Sequence, residues 1–160
     1  NNNYRIECYY YNEAAFIEEF EANIDKTLEY YQKSIDYAKQ HENKEILVMS
    51  YTYIADIYSY LNKIQPALEN YRIAKQYATT LDDFFNINFG ILTLYYYFGI
   101  YELAIIQGEN IDKFLEMNEK FTFDKGYYYL LLYDAMNASY IKIEDYDNAL
   151  KYLNKQKNRI

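Results

Sequence analysis

The sequence predicts an all-α fold of about eight helices, paired as hairpins that follow one another in series. Three observations carry that prediction. Apolar residues recur at steps of three and four along most of the 160 residues, the spacing of one helical face. The chain has 4 glycines and 1 proline, too few for the many turns of an all-β sandwich or barrel. One packing pattern also returns several times at intervals near 40 residues.

The elements follow in order. The pattern puts a first helix through Tyr11, Ala14 and Ala15. A second runs over 24–39, with Leu28, Tyr31, Ile35 and Ala38 on one face and Asn23 as its N-cap. The polar run 40–45 separates it from a third over 46–61, whose stripe is Val48, Tyr51, Ile54, Ala55, Tyr58 and Leu61. Asn62 and Lys63 break that helix. Pro66 then stands in the first turn of a fourth, where its missing N–H is not needed. Asp82 and Asp83 open a long apolar segment, 84–106, interrupted near Gly99. An amphipathic helix follows from Gly108 to Met117, then a longer loop over 118–125. Residues 127–141 and 146–157 form the last two helices.

The repeat is clearest at Tyr51, Ile54, Ala55, Tyr58, Ala67, Tyr71 and Ala74. Small residues let two helices approach closely, and aromatics fill the space beside them. Forty residues earlier the pattern reads Tyr11, Ala14, Ala15, Thr27, Tyr31 and Ser34. Later it reads Leu92, Tyr95, Ala104, Gly108 and Ile111, then Tyr133, Met136, Asn137, Tyr140, Ala149 and Leu153. The intervals are 40, 37 and 45 residues.

These residues resemble the tetratricopeptide repeat. The second copy matches the family pattern at all seven positions, with Thr79 where the family has its final proline. The resemblance implies a right-handed superhelical solenoid of about four hairpins in a single domain over 1–160. Its units are about 8–41, 48–80, 85–118 and 130–158. Glu18 departs from the aromatic preferred in the first unit, and Asn137 replaces a small residue in the fourth. The long spacing looks more like the repeat domains of bacterial regulators and peptide receptors than like chaperone adaptors.

Composition closes off several functions. The formal net charge is −8, spread evenly along the chain, so a basic nucleic-acid-binding face is not expected. The scattered glycines write no phosphate-binding loop. Cys8 and His41 are the only cysteine and histidine, too few for a zinc site, and Cys8 reads as a buried, inert thiol. No cofactor or metal is expected. No apolar run is long enough to span a membrane and no leader is visible, so the expectation is a cytoplasmic chain. It begins Asn1-Asn2-Asn3, without Met, and is expected to be part of something longer.

In a repeat of this type, function is expected on the concave face formed by the first helix of each hairpin. There the resemblance places Tyr9, Asn12 and Phe16 in the first unit, with Phe20 beside them. It places Met49, Thr52, Asp56, Ser59 and Tyr60 in the second. Asn86, Phe89, Thr93, Tyr96 and Tyr97 follow in the third, and Asp134, Ala138, Ile141 and Lys142 in the fourth. Aromatic anchors among small polar groups suit a protein or peptide. The absence of Lys or Arg before Lys142 argues against the carboxylate clamp of chaperone adaptors. Asp56 and Asp134 favour an apolar to basic partner. The expected function is a non-enzymatic binding module, the interaction or sensory part of a larger regulator. One concrete version is a receptor for short signalling peptides in a bacterial transcription regulator. The competing reading, an enzyme using paired carboxylates, has only Glu18 with Glu19 or Asp82 with Asp83 to work with. The last helix carries Tyr146, Leu150, Tyr152 and Leu153 with nothing after it, so a further segment or a second copy forming a homodimer is expected to cover them.

Overall fold

The structure, a computed structural model, describes residues 3–118 and 124–158. Among these there are eight helices and no strand: α1 (Asn3–Phe20), α2 (Ile24–Gln40), α3 (Lys44–Tyr60), α4 (Ile64–Tyr77), α5 (Leu81–Tyr97), α6 (Tyr101–Met117), α7 (Lys125–Lys142) and α8 (Tyr146–Lys157). They fall into two compact units, Asn1–Thr79 with α1–α4 and Thr80–Ile160 with α5–α8. In each unit consecutive helices pack in pairs, and the second helix of one pair packs on the first of the next.

One turn design links the helices within pairs and also joins α2 to α3. The N–H groups after a helix fold back on its last carbonyls, and one residue takes positive φ. That residue is Ala22 (φ 58°), Glu42 (53°), Asn62 (57°), Gly99 (72°) or Glu144 (62°). At the first turn the Ala22 N–H donates to the Glu19 carbonyl at 2.9 Å and the Asn23 N–H to the Glu18 carbonyl at 2.8 Å. Gly99 and Ile100 repeat this on Tyr96 and Tyr95, at 3.0 and 2.9 Å. The within-pair turns at Ala22, Asn62, Gly99 and Glu144 are separated by the same 40, 37 and 45 residues as the packing pattern.

The starts of α3, α5, α7 and α8 are fixed by short polar side chains. Thr80 and Asp83 form a reciprocal capping box at α5, both bonds 3.0 Å. Asn43, Asp124 and Asp145 accept from backbone N–H groups at the starts of α3, α7 and α8. Asn23 precedes α2 but its side chain makes no capping bond, and the Thr27 hydroxyl instead donates to its carbonyl.

Two expected boundaries change. The break near Gly99 is a full turn, so the segment 84–106 is the body of α5 plus the start of α6. Gly108 lies inside α6 instead of opening a helix. The reason is packing: a Cβ at Gly108 would stand 1.9 Å from Met136 Sδ, so this bare position lets α6 press against α7 and against Leu92 of α5. The loop expected over 118–125 lies largely outside the described residues.

Most of the motif residues are core, while Tyr11, Ala14, Tyr58, Tyr95, Asn137 and Leu153 are half-buried. Ala15, Tyr31, Ala55, Ala67, Tyr71 and Ala74 are buried in the first unit, and Leu92, Ala104, Ile111, Tyr133, Met136 and Ala149 in the second. Cys8 is also buried, and desolvation pushes its thiol pKa up, which keeps it protonated. Asn12, expected on the binding face, is instead 5% exposed and belongs to the core. Its amide donates to the Cys8 carbonyl (3.1 Å) and to Ser34, and its carbonyl accepts from Ser50 (3.3 Å), so one side chain ties α1, α2 and α3 together. A buried amide needs that full set of partners, and the small Ser34 and Ser50 bring them within reach. At the other end Tyr146 and Leu150 are exposed, but Tyr152 is buried against Tyr133 and Tyr140 and needs no further cover.

Candidate functional site

Apart from Asn12, the expected site residues of the first unit keep some exposure, to different degrees. On α1, Tyr9 reaches Glu45 with its hydroxyl (3.2 Å), and Phe16 is exposed. On α3, Met49 and Thr52 are half-buried and Tyr60 is 81% exposed. The Thr52 hydroxyl is shut off from solvent without a partner among the described residues. Asp56 keeps an exposed surface, but its carboxylate accepts from the buried Tyr71 hydroxyl of α4. Crowding around the carboxyl raises its pKa, while the Tyr71 bond pulls the other way. Asp56 therefore ties the α3–α4 hairpin together as well as giving that face a negative charge.

The second unit contains a cleft. It lies between α5 and α7, has a volume of about 360 Å³ and is open on one side. Phe89, Thr93, Tyr96 and Tyr97 line it from α5, and Asp134 and Ala138 from α7. All six were expected on the binding face. Asn86, Ile141 and Lys142 were expected with them and do not line it. Leu92, Leu131 and Ala135 complete the wall. Leu131 and Ala135 were missed, although Leu131 stands three residues before Asp134 on the same helical face; its apolar side chain read simply as core.

The cleft exists because of which residues meet there. α5 packs mainly on α6, and α7 packs on α8 and α6, so α5 and α7 touch each other only sparsely. Facing the aromatics of α5, α7 presents Ala135 and Ala138, whose single methyls leave the space open. The walls are held from behind. Phe89 stacks on Phe85 at 5.5 Å, and Phe85 stacks on Tyr128 at 3.9 Å. The Tyr128 hydroxyl donates to Asp82 at 2.7 Å. Tyr96 meets Tyr101 of α6 edge-on at 5.6 Å and Tyr97 edge-on at 5.7 Å. Thr93 turns its hydroxyl onto the Gly90 carbonyl at 2.9 Å, so it offers the cleft its methyl.

The acidic groups of this unit are held in different ways. On α6, Asp112 accepts from Tyr133 (3.0 Å) and pairs with Lys155 (2.5 Å), and Glu109 accepts from Tyr140 (3.1 Å). Burial and the Glu109 bond push the Tyr140 hydroxyl up to about 12, so it stays a donor. Asp134 is exposed and has no hydrogen bond or ion pair among the described residues. Among the described residues it is the one charged side chain lining the cleft. The paired carboxylates stand elsewhere: Asp82 and Asp83 serve the start of α5, and Glu18 faces Lys26 at 3.6 Å while Glu19 is exposed. Among the described residues no cluster of His, Cys, Asp or Glu could hold a metal ion, and no helix is long and apolar enough to cross a membrane.

Fold and cleft together define an all-helical, repeat-like protein with an aromatic, mildly acidic groove. No family model matches the chain, and no curated protein matches it. Among solved structures it is similar to the crystal structure of BtubC (BKLC) from P. vanneervenii, with a TM-score of 0.79 and 17% identity. The match covers 93% of this chain and 61% of that one, so the chain spans less than two thirds of BtubC's length. At that identity the likeness establishes the fold alone.

Proposed function

We propose that this chain is a non-enzymatic binding module built from tetratricopeptide-like hairpins, and that it holds a peptide segment in the α5–α7 cleft. The observation that supports this most directly is the cleft's lining. Phe89, Thr93, Tyr96 and Tyr97 of one hairpin's first helix face Asp134 and Ala138 of the next hairpin's first helix. The volume of about 360 Å³ lies at the lower end of the range for small-ligand pockets. That suits two or three side chains of an extended segment better than a whole folded surface. Apolar walls with one open carboxylate favour a segment that is apolar to basic.

The test is selection from a displayed library of random twelve-residue peptides, followed by affinity measurement on synthetic peptides. Ala138→Phe fills the cleft and serves as the counter-screen, with circular dichroism checking that it stays folded. Peptides that bind the protein and lose at least about tenfold in affinity to this variant support the proposal. Recovery only of peptides that bind both proteins equally would refute it.

A further inference from the structure

The peptide-binding reading leaves open what the cleft reads, and on that reading we infer that it recognises an arginine side chain flanked by apolar residues. Tyr96 and Tyr97 present rings inclined at 76° with centroids 5.7 Å apart, so two aromatic walls meet at a corner of the cleft. Phe89 supplies a third aromatic surface. Across from them stands Asp134, an exposed carboxylate with no cation beside it among the described residues. Aromatic faces attract a cation through their quadrupole, and a carboxylate at the same place completes the charge.

The same unit already contains this arrangement in filled form. Lys155 lies 5.3 Å from the Tyr133 ring centre and 5.0 Å from that of Tyr152, with Asp112 at 2.5 Å. There tyrosines and an aspartate hold one of the chain's own ammonium groups. In the cleft two tyrosines and an aspartate line one space, and no cation of the chain pairs with that aspartate among the described residues, in a chain whose net charge is −8. Arginine fits this opening better than lysine. Its planar guanidinium stacks on a ring, bonds a carboxylate with two prongs and gives up its hydration more readily. Leu92, Leu131 and Ala135 then receive the aliphatic neighbours.

The experiment takes a cleft-dependent peptide from the display selection and replaces its arginine by citrulline, a neutral isostere, and by lysine. Binding is measured by fluorescence anisotropy to the wild type, Asp134→Asn and Tyr97→Ala. Tyr97 is 78% exposed, so its truncation leaves the core intact. The expected result is that selected peptides carry arginine. Citrulline should cost about tenfold or more and lysine less, while Asp134→Asn weakens the arginine peptide about tenfold and the citrulline peptide hardly at all. Cleft-dependent peptides that lack arginine, or bind as well with citrulline, overturn this inference and leave peptide binding standing. Absence of any cleft-dependent peptide removes both. Choline or methylguanidinium that binds the wild type alone as tightly as the peptide would also overturn it, making the ligand a free small cation.

Discussion

Gly108→Ala sets two effects of known size against each other. In the interior of α6, replacing glycine by alanine raises helix propensity by about 1 kcal/mol. Against that, the new Cβ would stand 1.9 Å from Met136 Sδ, and 3.1 Å from both Met136 Cγ and Leu92 Cδ1. Contact distances between such atoms are about 3.5–4 Å, so Met136 must move by roughly 2 Å. Met136 and Leu92 are both fully buried, which leaves the thioether little room to turn. Overpacking of this kind costs about 1–3 kcal/mol. The flexibility of methionine holds the cost near the middle of that range, so the net change should be a loss of about 1 kcal/mol. Urea unfolding followed by far-UV circular dichroism measures it. The same substitution in a Met136→Ala background should reverse sign, because the clash with Met136 is gone, the 3.1 Å contact with Leu92 Cδ1 asks only for a small shift, and the propensity gain remains. The resulting coupling should be about 1–2 kcal/mol. If Gly108→Ala stabilises the otherwise unchanged protein by the full propensity value, the close approach of α6 to α7 at this point is wrong.

Three further expectations rest on other parts of the molecule. Ala22→Gly and Glu144→Gly relieve residues held at positive φ and should each stabilise by about 1 kcal/mol, whereas Gly99→Ala should destabilise by a similar amount; unchanged urea midpoints would contradict the turn geometry. Asp56 has its pKa raised in the folded protein, so stability from this group is full below its unfolded value near 3.8 and is lost as pH rises through the folded value. Asp56→Asn should therefore gain on the wild type at pH 7 and lose that advantage toward pH 4, and a pH-independent difference would show that desolvation does not act there. Lys155→Met leaves Asp112, 6% exposed, with Tyr133 as its remaining partner and should cost about 2 kcal/mol, less than a fully buried pair because Lys155 is a third exposed; adding Asp112→Asn should recover part of the loss, and a thermal midpoint unmoved by Lys155→Met would dismiss the pair as incidental.

The helices and their pairing were legible because they depend on local chemistry. Three- and four-residue spacing marks a face wherever it occurs, and small residues such as Ala55, Ala67 and Ala104 announce close helix contacts before any partner is known. The interval of 40, 37 and 45 residues is written in the sequence because the two helices of each hairpin are joined by the same kind of turn. Six of the cleft residues were visible for a related reason: they sit between packing positions on the first helix of a hairpin. Three things depended on the tertiary structure. Asn12 shares a helical face with plausible binding residues, and only the arrival of Ser34 and Ser50 from other helices makes it core. Asp56 and Asp134 look alike as acids on binding faces, yet a tyrosine from the next helix claims one and nothing among the described residues of the second unit claims the other. The cleft is space left where Ala135 and Ala138 of α7 fail to fill what Phe89 and Tyr96 of α5 leave open. Periodicity assigns each side chain to a face of its own helix, but which groups meet across helices is decided by the packing of several helices at once.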